Sequence, residues 1–351
     1  MLTDYLLILA DMLNDKFGFV ENVKEKTRMN DHRFQRIVCM ILVLLLLSAS
    51  LSACGSQSKP KIEENKDENA ATYPYVVHMK SATWYLAADD IALLGEDAFY
   101  EGLYAIIEKQ EQDFAEAREA LKGYIDAEIQ PIDIRTDFSG MGGASEGIGA
   151  YYDETRNFIK LFGGWDVANF TLLHEYVHYL TRHCMQQPAS RGLYAEGIAQ
   201  YISMIVCKNR MARSVNCAQS EEELTLFKSK GAWDESEDCL DPQKFYYGNA
   251  AFFSLGGMIG YQYFSVKDIY ETYTEEVHQN PSVWNVSHFE ATSIMAWLIE
   301  TYGRDIVLQN LSTAPEDFEA VYGLPFSEGY QKWSVWSMRK CSELGLSVSI
   351  D

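Results

Sequence analysis

The sequence predicts an α+β fold: a small mixed sheet packed with helices, followed by a mostly helical C-terminal lobe. Three observations predict it. Runs with strand-type alternation fall early in the chain, as in Ile132 to Thr136. A long stretch from Glu96 to Tyr124 repeats apolar residues every three or four positions. Beyond Cys207 the patterning is mostly helical. In order, Tyr75 to Lys80 reads as a strand. Glu96 to Tyr124 then reads as a helix with Leu103, Ile106, Ile107, Phe114 and Leu121 toward the core. Ile132 to Thr136 is a second strand, Gly140 to Gly149 a glycine-rich loop, and Asn157 to Phe162 a further strand.

The next segment is apolar and helix-compatible through Phe170, Leu172, Leu173, Val177 and Leu180, with Asp166 as its expected N-cap. Leu193 to Tyr201 forms another helix. Ser220 to Lys230 is polar and exposed. Phe252 to Phe264, with Gly256, Gly257 and Gly260, suits close helix packing and is too short to span a membrane. Ile294 to Tyr302 is a helix ended by Gly303, and Tyr330 to Met338 carries Trp333 and Trp336, read as core.

The segment His174-Glu175-Tyr176-Val177-His178 carries the chemistry. Helix positions four apart share a face, so the two imidazoles can meet one ion. Glu175 follows the first ligand, where its carboxylate can reach a water on that ion. Glu196, in Tyr194-Ala195-Glu196-Gly197, supplies a third ligand from the next helix. Two histidines, one carboxylate and an open fourth position suit one catalytic zinc ion rather than a closed structural site. A histidine ligand six residues after His178, preceded by a glycine at the third, would mark another subclass. Those places hold Cys184 and Thr181, and His183 is one residue out of register. Cys184 is read as packing or disulfide chemistry.

On the two segments His174 to His178 and Leu193 to Tyr201, the chain resembles the gluzincins, the peptidase clan that includes thermolysin and aminopeptidase N. The likeness extends loosely over residues 74 to 338 and implies a thermolysin-like catalytic domain, a zinc ion and hydrolysis of peptide bonds. It implies that Glu175 takes a proton from water and delivers it to the leaving amine. It also implies a donor from the helical part opposite the metal, for which His288 is the first candidate and Tyr247 the second. The strand before the zinc helix, within Ala150 to Phe162, either pairs with extended substrate or lies inside the sheet.

Two departures stand out. Clan members commonly place an Asp four residues after the glutamate ligand to support a ligand histidine. Here Gln200 takes that position, able to accept an imidazole N–H but without charge. The aminopeptidase GxMEN sequence is not intact in Gly140-Met141-Gly142-Gly143-Ala144-Ser145-Glu146, which slightly favours an endopeptidase and reads Glu146 as part of a flexible loop.

The N-terminus implies export. Arg33 and Arg36 precede an apolar run from Ile37 to Leu51 that ends in Leu51-Ser52-Ala53-Cys54. This resembles a bacterial lipobox, in which Cys54 is lipidated and the protein is anchored on the extracytoplasmic face of the cell membrane. An uncleaved anchor or an ordinary signal peptide are the alternatives. The run is short of the ~20 residues a span needs. Residues 1–54 are therefore a signal region whose true start is Met29, residues 55–73 a flexible tether, and residues 74–351 the folded part. That part divides into an N-lobe of about 74–185 and a helical C-lobe of about 186–351.

Formal charge is −22. Residues 1–53 hold six acidic and six basic residues, so the excess lies in the remainder. Such acidity argues against nucleic acid and anionic lipid as partners and suits solubility outside the cell; a peptide or protein substrate is what the gluzincin resemblance implies. Of the seven cysteines, Cys184, Cys207, Cys217, Cys239 and Cys341 remain after the signal region. Five is odd, so at least one is not paired within the chain. Two other readings compete with a lipid-anchored zinc peptidase. One is a catalytically silent surface lipoprotein that binds zinc or a ligand on the same scaffold, against which the intact Glu175 argues. The other is a solute-binding lipoprotein, whose two alternating α/β lobes the pattern lacks.

Overall fold

The computed structural model describes residues 60–126, 128–139, 149–190, 192–207, 211–212, 233–234, 239–249, 281–313 and 317–346. Met29, Cys54, Glu146 and the segments 220–230 and 252–264 lie outside them. The architecture is α+β. A mixed sheet runs in the order β1-β2-β3-β4-β6-β5, built from β1 Glu63–Glu64, β2 Tyr75–His78, β3 Ala82–Leu86, β4 Ile132–Thr136, β5 Ala150–Asp153 and β6 Phe158–Leu161. β3, β4 and β6 are parallel, while β1, β2 and β5 join antiparallel.

Each strand follows its side-chain chemistry. In β4 the alternation Ile-Asp-Ile-Arg-Thr buries Ile132, Ile134 and Thr136 and leaves Asp133 and Arg135 partly exposed. In β3 the same alternation buries Ala82, Trp84 and Leu86. β5 closes the sheet on one side, and the hairpin to β6 turns at Asn157, whose φ of 54° an asparagine tolerates better than most residues.

The folded unit begins at Pro60, earlier than the expected boundary. Residues 60–73, expected within the tether, are ordered by local hydrogen bonds. Asn65 Nδ2 donates to Tyr73 O and Asn69 Oδ1, both at 2.7 Å, and Asn65 Oδ1 accepts from the Asp67 N–H. These close a turn that lets Glu63 and Glu64 pair with Val76 and Tyr75.

Two helices lie between β3 and β4, α1 Ala88–Leu94 and α2 Glu96–Ala120. α3 Trp165–Arg182 follows β6. Its N-cap is Gly164 at φ 92°, so the helix starts before Asp166 and the expected Asp166 cap is not made. The chain turns there on the positive φ values of Gly163 and Gly164. Leu172, Leu173, Val177 and Leu180 have no solvent exposure, each contributing roughly 1.5–3 kcal/mol by burial. Tyr176 stacks on Phe114 of α2 with ring centroids 4.0 Å apart, and its hydroxyl meets Arg118. Arg182 binds Glu154 through both carboxylate oxygens, at 2.7 and 2.8 Å, and donates to Ala189 O. The β5–β6 hairpin is thereby clamped to the far end of α3.

α4 Leu193–Gln200 continues directly into a π-helical turn, Tyr201–Val206. The described residues beyond Cys207 are mostly helical: α5 Pro242–Asn249, α6 Pro281–Tyr302, α7 Arg304–Gln309, α8 Phe318–Tyr322 and α9 Phe326–Glu343. A small second sheet, not expected from the sequence, precedes them. It joins β7 Met211–Ala212, β9 Cys239–Leu240 and β8 Trp233–Asp234 in that spatial order. Trp333 and Trp336 are core residues, and Trp333 Nε1 donates to Ser293 Oγ at 2.9 Å. Cys184, Cys207 and Cys341 are buried free thiols. Among the described residues no helix is long and apolar enough to cross a membrane.

Candidate metal centre

His174, Glu175 and His178 all project from the middle of α3 and are nearly buried. Helical spacing brings His174 Nε2 and His178 Nε2 to 2.9 Å. Glu196, from the first turn of α4, places Oε2 3.2 Å from each of them. Two imidazole nitrogens facing each other this closely are a poor hydrogen-bonding pair but good co-ligands. Tetrahedral zinc with bonds near 2.0–2.1 Å separates its ligand atoms by about 3.3 Å. The triangle of donors therefore fits one such ion. His174, His178 and Glu196 form a group whose ligand atoms all lie within 4.8 Å of one another and could hold a metal ion.

His288 also reaches this centre, from α6. Its Nε2 lies 3.2 Å from the same Glu196 Oε2, yet it stands outside the three-residue group. Its ring centroid is 6.1 Å from that of His174. The arrangement thus offers three converging ligands and a fourth imidazole beside them. What lets α6 approach is Gly197, next to Glu196. A Cβ built there would lie 2.7 Å from Ala291 O and 3.4 Å from Met295 Cβ. Ala291 is one turn after His288, so a bare backbone at Gly197 brings the histidine down onto the carboxylate.

Glu175 occupies the other side. Its Oε2 accepts the backbone N–H of Tyr152 in β5 at 2.8 Å, and its Oε1 is 3.9 Å from His174 Nε2. Burial raises the Glu175 carboxyl to about 7, with His178 and the Tyr152 N–H opposing. Burial and the neighbouring His178 lower His174 to about 4. Burial would likewise lower His178, but Glu196 and Glu175 outweigh it and hold His178 at about 9. Glu196 stays ionised well below the usual carboxylate range, because His178 and contacts with three imidazoles overcome its burial. In the metal-free protein the ionised Glu196 thus favours a proton on the histidine pair it faces.

Other expected roles fall differently. Tyr247 is not at this centre. Its ring packs edge-on against Trp336 at 5.7 Å, in a separate small cavity with Tyr201, Glu300 and Lys340. The reason is that α5 packs against α6 and α9. Gln200 is buried on α4, but His174 Nδ1 has no hydrogen-bond partner among the described residues, so Gln200 does not hold that ligand. Cys184 is a buried thiol beside the Tyr179 hydroxyl, outside the ligand group. The sequence reading missed two contributors, Gly197 and the Tyr152 N–H. The first had a visible signal in the small residue beside Glu196. The second is a backbone group, which side-chain identity does not mark.

No protein-family model, no curated protein and no solved structure matches this chain.

Proposed function

We propose that the chain is a zinc-dependent peptidase with a thermolysin-like catalytic domain, anchored by lipid at Cys54 on the extracytoplasmic face of the membrane. The observation that carries the reading is the convergence of His174, His178 and Glu196 with a buried carboxylate, Glu175, directly beside them. A site that only stored metal would have no use for that carboxylate.

His174, His178 and Glu196 would hold the ion. Zinc supplies Lewis acidity there, bringing water toward a pKa of ~7 and polarising a carbonyl. Glu175 accepts the proton of the attacking water and passes it to the leaving amine. With the ion bound, its positive charge would favour the ionised carboxylate, the form that takes up a proton. His288 presents an imidazole from the opposite helix to the negative charge that develops on the substrate oxygen. Burial of His174, Glu175, His178 and His288 limits access of bulk water and strengthens each interaction. The substrate class is peptide or protein, with internal cleavage favoured over removal of N-terminal residues.

The test is metal content of the purified chain after metal-limited dialysis, wild type beside Glu196→Ala. About one zinc per chain in the wild type, lost in the variant, is expected. A peptide-library digestion then follows, with Glu175→Gln expected to retain zinc and cleave nothing. A wild type that holds no zinc overturns the reading.

A further inference from the structure

We infer that Tyr152 is a positioning residue for Glu175, acting through its backbone N–H on the edge strand β5 and not through its side chain. The catalytic sense of this rests on the peptidase reading above; the contact itself does not.

The register of β5 carries the argument. In an antiparallel pair, successive residues alternately direct their N–H and C=O toward the partner strand and away from it. Gly149 O accepts the Phe162 N–H at 2.8 Å, and Asp153 O accepts the Asn157 N–H at 2.7 Å, so both face the β6 side of the hairpin. The alternation then turns Ala150 and Tyr152 outward. Among the described residues β5 is the last strand of the sheet, and no further strand takes up its outward groups. The outward N–H of Tyr152 is instead bound by Glu175 Oε2 at 2.8 Å.

That bond links the edge strand to the middle of α3 where no ladder bond could. Glu175 is nearly buried on a helix whose own backbone is already hydrogen-bonded, and the donor that its Oε2 meets comes from β5. A peptide N–H cannot swing as a side-chain donor can. It pins Oε2 toward β5 and leaves Oε1 on the side of His174 Nε2, 3.9 Å away. The Arg182–Glu154 clamp holds the hairpin, and with it the donor, at fixed height along α3.

The register also provides the test. Proline is accepted on an edge strand where the missing N–H faces away from the ladder. Tyr152→Pro removes the donor, whereas Tyr152→Ala removes the side chain and keeps the donor. In the metal-free full chain, Tyr152→Pro is expected to melt about 2–4 °C below Tyr152→Ala. In a Glu175→Ala background that difference should vanish. An equal proline penalty in both backgrounds overturns the inference. In the zinc-loaded chain, Tyr152→Pro should lower kcat by about tenfold or more relative to Tyr152→Ala, with KM and zinc content the same in both. Equal losses in the two variants overturn it as well. If proline at 152 prevents folding, the α-hydroxy analogue of tyrosine placed there by nonsense suppression replaces the amide with an ester. It removes the same donor while keeping the side chain, and the same comparisons apply against wild type. A wild type that binds no zinc defeats the peptidase reading, while the melting comparison still decides the positioning role.

Discussion

His288 Nε2 lies 3.2 Å from Glu196 Oε2, the same oxygen that His174 and His178 approach from the other helix. One carboxylate oxygen thus stands between the ligand pair and a further imidazole. Because His288 stands outside the group that can share an ion, its removal should separate binding from turnover. His288→Phe is expected to keep its zinc and lose about 10²–10³ in kcat, the usual cost of deleting a donor to a developing oxyanion. Metal analysis beside steady-state kinetics on a peptide substrate checks this. Loss of zinc in the variant would make His288 a ligand and refute the division of roles.

Gly197→Ala should be costly out of proportion to one methyl group. The added Cβ would meet the backbone oxygen of Ala291 at 2.7 Å, and a backbone atom cannot rotate away. Helices α4 and α6 must separate, at a cost of about 1–3 kcal/mol in a packed core. Urea unfolding with a two-state fit measures it, and an unchanged midpoint would show that α6 yields freely.

Zinc uptake should release a proton. Metal-free His178 is held at about 9, against its burial, by the Glu196 carboxylate. Its proton must leave before the nitrogen can bind metal. Below that value apparent zinc affinity should fall about tenfold per pH unit for a single proton. Calorimetry in two buffers of different ionisation enthalpy counts the protons released. The sign for stability follows. A raised histidine stabilises the metal-free fold fully below its unfolded pKa of ~6.5 and loses that contribution as pH rises through about 9. The depressed Glu196 stabilises above its unfolded ~4.3 and loses this as acid protonates it in the fold. Metal-free melting temperature should therefore peak between the two.

Tyr247→Phe should leave turnover within about twofold of wild type, since a group that touches no reacting atom contributes little to the barrier. The Tyr247 ring belongs to the packing around Trp336. A kcat loss as large as that expected for His288→Phe would reverse the roles of the two residues.

The group that could hold a metal ion was legible because one α-helical period and one neighbouring helix define it. His174 and His178 needed only the four-residue spacing, and the apolar flank Leu172, Leu173, Val177 and Leu180 marked the helix that carries them. β4 was legible for the same reason, its alternation matching its burial residue by residue. β3 was not, although Thr83-Trp84-Tyr85 is strand-prone, because an adjoining helix signal begins at once and leaves the run short. β1 has no apolar signal at all. Two glutamates pair there because Asn65 closes the turn behind them. His288 ranked ahead of Tyr247 in sequence by resemblance alone, since no spacing places α6 and α5; in the fold the approach of His288 to Glu196 separates them. The missing Asp cap illustrates a local rule overridden by the glycine turn before α3.

The three buried thiols lend the molecule a built-in set of reporters. Cys184 follows α3, Cys207 ends the π-helical turn after α4, and Cys341 lies in α9, so they sample separate regions of the fold. Burial raises Cys207 to about 12 and Cys341 to about 11, and it raises Cys184 as well, so all three are protonated and sluggish nucleophiles while their surroundings stay closed. An alkylating reagent would then mark each position only when its neighbourhood opens. The order of labelling under mild denaturant, with and without added zinc, would chart which part of the chain yields first and how far a metal's grip extends from α3.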